Sequence, residues 1–360
     1  MAVNDHDGAA GSRGKSGLRH VVASVQGSHG FQYGMLRDFE DEIVRLTGAT
    51  VVPIPDWPAP QAVRGRLAHG TRFAPLRRFV PKRGGFAVDA DVLWLVLMGP
   101  EASWLDLFRA WDARVGYRIV YVYDTFGEQL DSLRRLASAA RWDLMITSFH
   151  GAVPMLRRET GRDWVAVPQG VKKERFLPVS GDKREIGLSS YGRRVEPVHA
   201  AIDRWSDETG VYYDATVAAT LNTRVPSQYL YKQYAWHLRH SHFTVAWPVE
   251  LTHPSRAGAF SPITCRWFEA AAAATTMIGK PPVDPVFTEL FGENAVLPLD
   301  SSPRSPAETR EAIAALWEKR EEHLRVAEAR RAERIHTWTW EARVREILAR
   351  AGLPCDVPEG

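Results

Sequence analysis

The chain reads as two consecutive doubly wound α/β domains. Three observations carry that reading. Its 360 residues are long for a single hydrophobic core. Short runs of Val, Ile and Leu alternate with amphipathic stretches, the pattern of strands covered by helices. A break holding two prolines and a glycine, at 167–178, interrupts the rhythm, which then starts again.

In the first half, apolar runs at 20–25, 50–54, 92–98, 118–123, 144–147 and 164–167 predict strands. Between them, 35–46, 104–115 and 127–140 carry the three-to-four spacing of amphipathic helices. Strands apolar along their whole length predict a parallel sheet buried on both faces, with ligands beyond the carboxyl ends of the strands. In the second half, strands are predicted at 186–189, 211–214, 243–247, 275–278 and 295–299, with helices at 195–206, 227–240 and 266–274. From about Pro306 the chain is charged and helical through Arg334, as a solvated face would be. His336-Thr-Trp-Thr-Trp then leads into a last amphipathic helix, and its paired tryptophans predict a packed junction. The domains therefore span 18–175 and 180–335, with a return helix and tail at 336–360. Residues 1–17 are polar, lack an apolar core and read as a disordered tail rather than a secretory signal. Two α/β domains of similar size predict a ligand cleft between them.

Composition excludes several function classes. No apolar run approaches the roughly 20 residues of a membrane span. The net charge of +3 is too small to imply a nucleic-acid partner. Cys265 and Cys355 are too few for a disulfide framework or a closed zinc site, which fits a reducing cytoplasm. Basic residues cluster at 72–83 (Arg72, Arg77, Arg78, Lys82, Arg83) among Phe73, Leu76, Phe79 and Val80. That mix reads either as a weak contact with an anionic membrane surface or as a solvated loop. Asp89-Ala-Asp91 has the letters of a metal-binding acid pair but precedes a buried strand, so it reads as strand entry and no metal site is expected.

The most informative stretch is 261–279, a loop, an alanine-rich helix from about Thr264 and a short buried strand. Glu269 stands inside that otherwise apolar helix and must find a partner, because an unpaired buried carboxylate is strongly unfavourable. A ribose with two hydroxyls is one such partner; an ion pair with Arg266, one turn earlier on the same face, is another.

Four separated segments resemble one family. Arg266, Glu269, Ala272, Ala274 and Thr275 are similar to the "R-x-x-E-x-x-A-x-G-T" donor helix of two-domain (GT-B) glycosyltransferases. Val-Pro-Gln-Gly-Val-Lys-Lys-Glu-Arg-Phe-Leu-Pro at 167–178 resembles the interdomain signature of family-one and family-four enzymes. Ile-Gly-Leu-Ser-Ser-Tyr-Gly-Arg-Arg at 186–194 resembles the first strand and Gly-Arg turn of their second domain. His336-Thr-Trp-Thr-Trp-Glu-Ala-Arg resembles the closing segment of the spore-maturation-type branch. Together these cover roughly 120–350. The resemblance implies a GT-B fold: two Rossmann-like domains facing a central cleft, with the C-terminal helix crossing back to the first. It also implies transfer of a sugar from a UDP-, GDP- or dTDP-linked donor to a hydroxyl or amine of a small-molecule or glycan acceptor, with no cofactor beyond the nucleotide sugar. Two positions depart from the pattern. Ser261 stands where family four has a second acid, which bears on the retaining mechanism, and Ala274 replaces a glycine near the helix end, where a closer backbone approach is expected.

Glycosyl transfer needs the leaving diphosphate neutralised, the ribose and base held, and the acceptor hydroxyl brought to the anomeric carbon. Cationic groups and backbone donors supply the first. Arg193 and Arg194 follow a strand at the Gly192 turn and open a helix, so they are phosphate candidates, with Arg266, Lys280 and Thr264 beside them. Glu269 is the ribose candidate. On the acceptor side, Gln26-Gly27-Ser28-His29-Gly30 follows the first strand, and its glycines permit close backbone approach, with His29 a base or a polar surface residue. Asp124 ends the strand at 118–123, placed for base work or as the N-cap of the helix near Gly127, and His150 sits similarly after 144–147. Positive side chains can stand in for a metal, so transfer is expected to be metal-independent. Competing readings are a sugar-nucleotide epimerase or phosphorylase of the same fold, which would need further acids around the sugar, and a nucleotide-binding protein with a degenerate site. Hydride transfer gains little, because G-x-G-x-x-G is incomplete.

Overall fold

The computed structural model describes residues 17–24, 33–54, 88–100, 105, 108, 111, 113–215, 227–258, 260–303 and 305–355. The Gly27–Gly30 turn, the basic segment 72–83 and all but residue 17 of the N-terminal tail lie outside them. The chain divides into two compact units. The first holds the described residues of Met1–Ser28, Leu36–Pro168 and Arg343–Gly360; the second holds those of His29–Met35 and Gln169–Ala342.

The first unit is a parallel sheet of β1 (His20–Ser24), β2 (Thr50–Pro53), β3 (Asp89–Leu97), β4 (Arg114–Val122), β5 (Leu144–Thr147) and β6 (Trp164–Ala166), in the order β2-β1-β3-β4-β5-β6. Every neighbouring pair is parallel. Val92 to Leu97 is fully buried, as a strand covered on both faces must be. Asp89 and Asp91 pair with Arg19 at 3.0 and 3.3 Å, so this acid pair is indeed a strand entry. Helices α1 (Tyr33–Thr47), α2 (Leu130–Ala139) and α3 (Val153–Thr160) connect the strands. α2 buries Leu133, Leu136 and Ala137, one face of a helix.

The second unit is a parallel sheet of β7 (Ile186–Ser189), β8 (Tyr213–Asp214), β9 (Ser241–Ala246), β10 (Thr276–Gly279) and β11 (Val296–Pro298), ordered β11-β10-β9-β7-β8. Its helices are α4 (Glu196–Thr209), α5 (Ser227–Arg239), the one-turn α6 (Val249–Thr252) and α7 (Pro254–Ala257), α8 (Cys265–Ala272), α9 (Pro285–Phe291), α10 (Pro306–Glu318) and α11 (Arg320–Arg334). Its core joins Leu188, Phe243, Val245 and Ile278 of the sheet to Val198, Ile202 and Trp205 of α4. In both units the chain starts one strand in from the edge, so the strand order reverses beside the first strand. That reversal is where α/β sheets bind ligands.

One expectation is corrected. The helix expected at 104–115 does not extend to its end, because Arg114 and Val115 open β4, paired with Asp89 and Ala90. Sheet pairing there overrides the helical spacing of Leu105, Phe108, Trp111 and Val115. The first unit's middle stretch ends at Pro168, inside the break at 167–178. Val171 exchanges backbone hydrogen bonds with Trp338 and Trp340 at 2.9 and 3.0 Å, which ties the linker to the second unit. The final helix, α12 (Trp340–Ala351), begins in the second unit and groups with the first from Arg343 onward.

Candidate functional site in the second unit

The strand order of the second unit reverses between β7 and β9, since β7 pairs with β8 on one side and β9 on the other. Past β7 the chain runs Ser190-Tyr191-Gly192-Arg193-Arg194. Ser190 donates its N–H to the Asp214 carbonyl at 2.8 Å, and the Tyr191 hydroxyl donates to the Asp214 carboxylate at 2.8 Å. Gly192 turns the chain at φ +96°, a conformation that favours glycine. Arg193 then reaches across the reversal, its Nη1 donating to the Trp247 carbonyl beyond β9 at 3.4 Å. Arg194 is turned elsewhere, to Glu196 and Asp203 of α4 at 3.3 and 3.9 Å, so only one of the arginine pair spans the switch point.

Arg266, in the first turn of α8, completes the cationic edge. Its Nη2 lies 2.6 Å from where a side chain on Gly192 would begin, so the guanidinium fills the space glycine leaves. Nη1 of Arg266 is buried and has no hydrogen-bond partner among the described residues. Thr264 is the N-cap of α8, yet its side chain caps nothing and Oγ1 is also buried and unpartnered among them. A helix start with an unpartnered arginine nitrogen and hydroxyl is an anion-binding arrangement. Lys280 is exposed after β10 and lines a groove of about 380 Å³ with Gly279, Pro281, Pro298 and Leu299.

Glu269 is 1% exposed and clamped between two tyrosines of α5. Tyr231 donates to Oε1 at 2.7 Å and Tyr234 to Oε2 at 2.9 Å. Arg266, the alternative to a ribose as its partner, makes no ion pair with it among the described residues. Burial raises the Glu269 pKa above the ordinary carboxylate value, and the two tyrosine hydroxyls, the Arg266 charge and Cys265 pull it back only in part. Phe176, from the Arg-Phe-Leu-Pro end of the linker motif, is fully buried with its ring 5.9 Å from Tyr231 and 6.5 Å from Tyr234. That contact is the physical reason for an aromatic at this point in the linker.

Ser261, where the resemblance implies an acid, holds one: its hydroxyl donates to Oε1 of Glu250 in α6. Ala274 is corrected as well. Rather than tightening a backbone approach, it occupies a left-handed position at φ 51°. Thr275 N–H bonds to Ala270 O at 3.0 Å and Ala274 N–H to Ala271 O at 3.1 Å, the Schellman ending that glycine normally closes.

In the first unit, Asp124 lies past the carboxyl end of β4, its N–H bonded to Met98 O at 2.6 Å. It does not cap the turn at Gly127–Gln129, whose N-cap is Phe126. His150 is exposed and opens the one-turn helix His150–Ala152. Gly27, Ser28, His29 and Gly30 lie outside the described residues. Tyr231, Tyr234 and Glu250 were not singled out from sequence. The two tyrosines stand three apart on an amphipathic helix and read as core. Glu250 meets Ser261 only through a fold across eleven residues.

Residues 173–349 match the family model described as glycosyl transferase-like. That match takes in most of the second unit. No curated protein sequence matches the chain. Among solved structures, the chain is similar to accessory secretory protein 1,2 and 3 of Streptococcus pneumoniae, at 11% identity and TM-score 0.42, over 73% of this chain and 53% of that one. It is similar to the pneumococcal O-GlcNAc transferase GtfA in complex with UDP and GlcNAc, at 12% identity and TM-score 0.41, over 78% and 60%. It is also similar to AviGT4, a glycosyltransferase involved in avilamycin A biosynthesis, at 14% identity and TM-score 0.46, over 92% and 96%. The chain thus spans only 53% and 60% of the lengths of the first two. Among the described residues no helix is long and apolar enough to cross a membrane, and no group of three or more His, Cys, Asp or Glu side chains is placed to hold a metal.

Proposed function

We propose that this protein transfers a glycosyl group from a UDP-, GDP- or dTDP-sugar to a hydroxyl or amine of a small-molecule or glycan acceptor. The observation that carries the reading is the edge at the β7/β9 reversal, where Arg193 crosses between strand ends and Arg266 lies against Gly192 with one nitrogen unpartnered among the described residues. The glycosyl transferase-like match over the same unit supports it. In this scheme the diphosphate lies at the start of α8. Arg266, Arg193 and the helix N-terminus meet the charge that grows on it as the glycosidic bond breaks, and Lys280 adds to the field. Glu269 accepts the ribose hydroxyls: a carboxylate offers about four lone-pair sites, and the tyrosines use two. Asp124, His29 and His150 remain the candidates for the acceptor's proton.

The test is a screen of nucleotide sugars for slow release of nucleoside diphosphate, with and without acceptor. Donor conversion without diphosphate release would favour an epimerase, and no binding of any nucleotide would overturn the proposal. Because side chains and a helix start carry the phosphate charge here, turnover is expected to survive EDTA in full. Loss of turnover in EDTA, restored by Mg²⁺ or Mn²⁺, would show that a metal carries that charge.

A further inference from the structure

We infer that the start of α1 completes the donor site of the second unit: Gly34 and Gln228 are positioning residues that set Tyr231 and, through its hydroxyl, the carboxylate of Glu269. This deepens the donor reading above and rests on it. Tyr33, Gly34 and Met35 open α1 and group with the second unit, far in sequence from its other residues. Glycine is among the poorest helix residues, and Gly34 is not one of the glycines with positive φ. What requires it is space. A side-chain carbon there would begin 2.6 Å from Cβ and 2.9 Å from Cγ of Tyr231, and 3.1 Å from the Ser227 carbonyl oxygen. Those atoms are the root of the tyrosine and the backbone of α5, which cannot swing aside as the end of a flexible chain would. α1 therefore rests bare backbone on the base of Tyr231.

The same tyrosine is held from other directions. The Arg175 guanidinium lies 5.0 Å from its ring centroid, and the Phe176 ring meets it edge-on at 5.9 Å. Gln228 ties these contacts to α1: its Oε1 accepts from Arg175 Nη2 at 3.0 Å, and its Nε2 donates to the Gly34 carbonyl at 3.2 Å. Tyr231 is fully buried, and its hydroxyl donates to Glu269 Oε1 at 2.7 Å. Phenylalanine would fill the same space, so the hydroxyl serves the carboxylate rather than the packing. An acid that accepts two neighbouring sugar hydroxyls needs a fixed plane, and Tyr231 and Tyr234 fix it through one oxygen each. A methyl group on Gly34 would push Tyr231 off Oε1 and let that plane turn. Gly34 and Gln228 touch no ligand in this scheme; they act through Tyr231.

The experiment measures binding to the full chain by titration calorimetry. UDP, GDP and dTDP are each set beside an analogue lacking one sugar hydroxyl: 2′-deoxy-UDP, 2′-deoxy-GDP and 2′,3′-dideoxy-TDP. Wild type, Gly34→Ala, Gln228→Ala, Tyr231→Phe and the Gly34→Ala/Tyr231→Phe double variant are compared, with thermal melts to show that each is folded. Gln228→Ala removes the bridge without adding bulk, so it carries the test if Gly34→Ala does not fold. Gly34→Ala and Tyr231→Phe are each expected to weaken the parent nucleotide roughly tenfold and its analogue about threefold, and Gln228→Ala to act in the same direction by a smaller factor. The double variant is expected to bind as Tyr231→Phe does, because the hydroxyl that Gly34 positions is already gone. Wild-type affinity in both Gly34→Ala and Gln228→Ala would overturn the inference. Equal loss for nucleotide and analogue would mean damage to the fold rather than to the ribose contact, and a double variant weaker than Tyr231→Phe would mean that Gly34 acts elsewhere; either overturns it. If wild type binds nucleotides without preferring them to their analogues, the Glu269 assignment fails. If it binds none of the six compounds, the donor reading fails, and the inference goes with each.

Discussion

Glu269 makes opposite demands on binding and on stability. Burial raises its pKa, so the native state holds the proton more tightly than the unfolded chain. That contribution is present below the ordinary carboxylate pKa and is lost as pH rises through the raised one. Glu269→Gln removes the charge and still accepts from one tyrosine. It is expected to melt at or above the wild-type temperature while nucleotide affinity falls by about 1.5–3 kcal/mol. Glu269→Ala instead strands the Tyr231 and Tyr234 hydroxyls, each costing about 1–3 kcal/mol. It should therefore melt lower, and unchanged nucleotide affinity in the folded Gln variant would remove Glu269 from the site. His199 titrates the other way. Burial, helped by the Arg194 charge, lowers its pKa to about 4, and it lies between the Tyr213 hydroxyl and the Trp247 indole, which donates to Nε2 at 3.3 Å. The unfolded chain takes up that proton first, so stability falls as pH drops from about 6.5 toward about 4, by roughly 2–3 kcal/mol. His242 is lowered to about 4 as well and shares the window. Urea midpoints at pH 7 and 4.5 check this, with His199→Gln expected to remove about half of the difference.

At the scale of elements, the end of α8 carries a strained position. Ala274 is fully buried at φ 51°, and a non-glycine residue there costs roughly 1–2 kcal/mol. Glycine relieves the strain but adds freedom to the unfolded chain, which offsets part of the gain. Ala274→Gly is expected to stabilise the protein by up to about 1 kcal/mol without changing nucleotide affinity, and an unfolding titration that shows a loss would refute the strain. The central strands were legible in the sequence because runs such as those of β1, β3 and β10 are mostly apolar and buried on both faces, a pattern a solvated segment cannot imitate. In the segment 104–115, by contrast, large apolar residues at helical intervals hide the entry of β4. In the site, Arg193, Arg266 and Glu269 were legible because charges beside glycine turns, or inside an alanine-rich helix, rarely serve packing alone. Tyr231, Tyr234 and Glu250 were not, because a tyrosine on a helix face looks like core and a loop acid looks like surface. Only the fold puts a carboxylate between those two hydroxyls, or a serine beneath that acid.

For the whole molecule, the closing segment is the part to remove, because each unit holds a piece of it. In the second unit, Trp338 is fully buried, donates its indole N–H to Leu290 O at 2.9 Å and packs 5.7 Å from Phe291, while Trp340 is 2% exposed. Gly170 faces this junction: a side chain there would meet the Thr339 and Trp340 backbone at 3.0 Å. In the first unit, Val344, Ile347 and Leu348 of α12 are buried, and Arg343 is 7% exposed, with Glu346 at 3.7 Å and Tyr121 as a further electrostatic neighbour. Truncating one buried tryptophan to alanine costs about 3–5 kcal/mol, a large part of a typical domain's total stability of about 5–15 kcal/mol. A chain ending at Arg334 loses both tryptophans and the apolar face of α12. Both units are therefore expected to unfold at markedly lower temperature, with donor binding lost at 37 °C. Trp338→Ala tests the second unit's share alone. It should lower the melting temperature and leave nucleotide affinity unchanged at a temperature where the variant is folded, because Trp338 is packed against α9 and reaches none of the phosphate candidates. A truncated chain that melts with the full-length protein and binds nucleotide as well would mean that the segment closes neither unit.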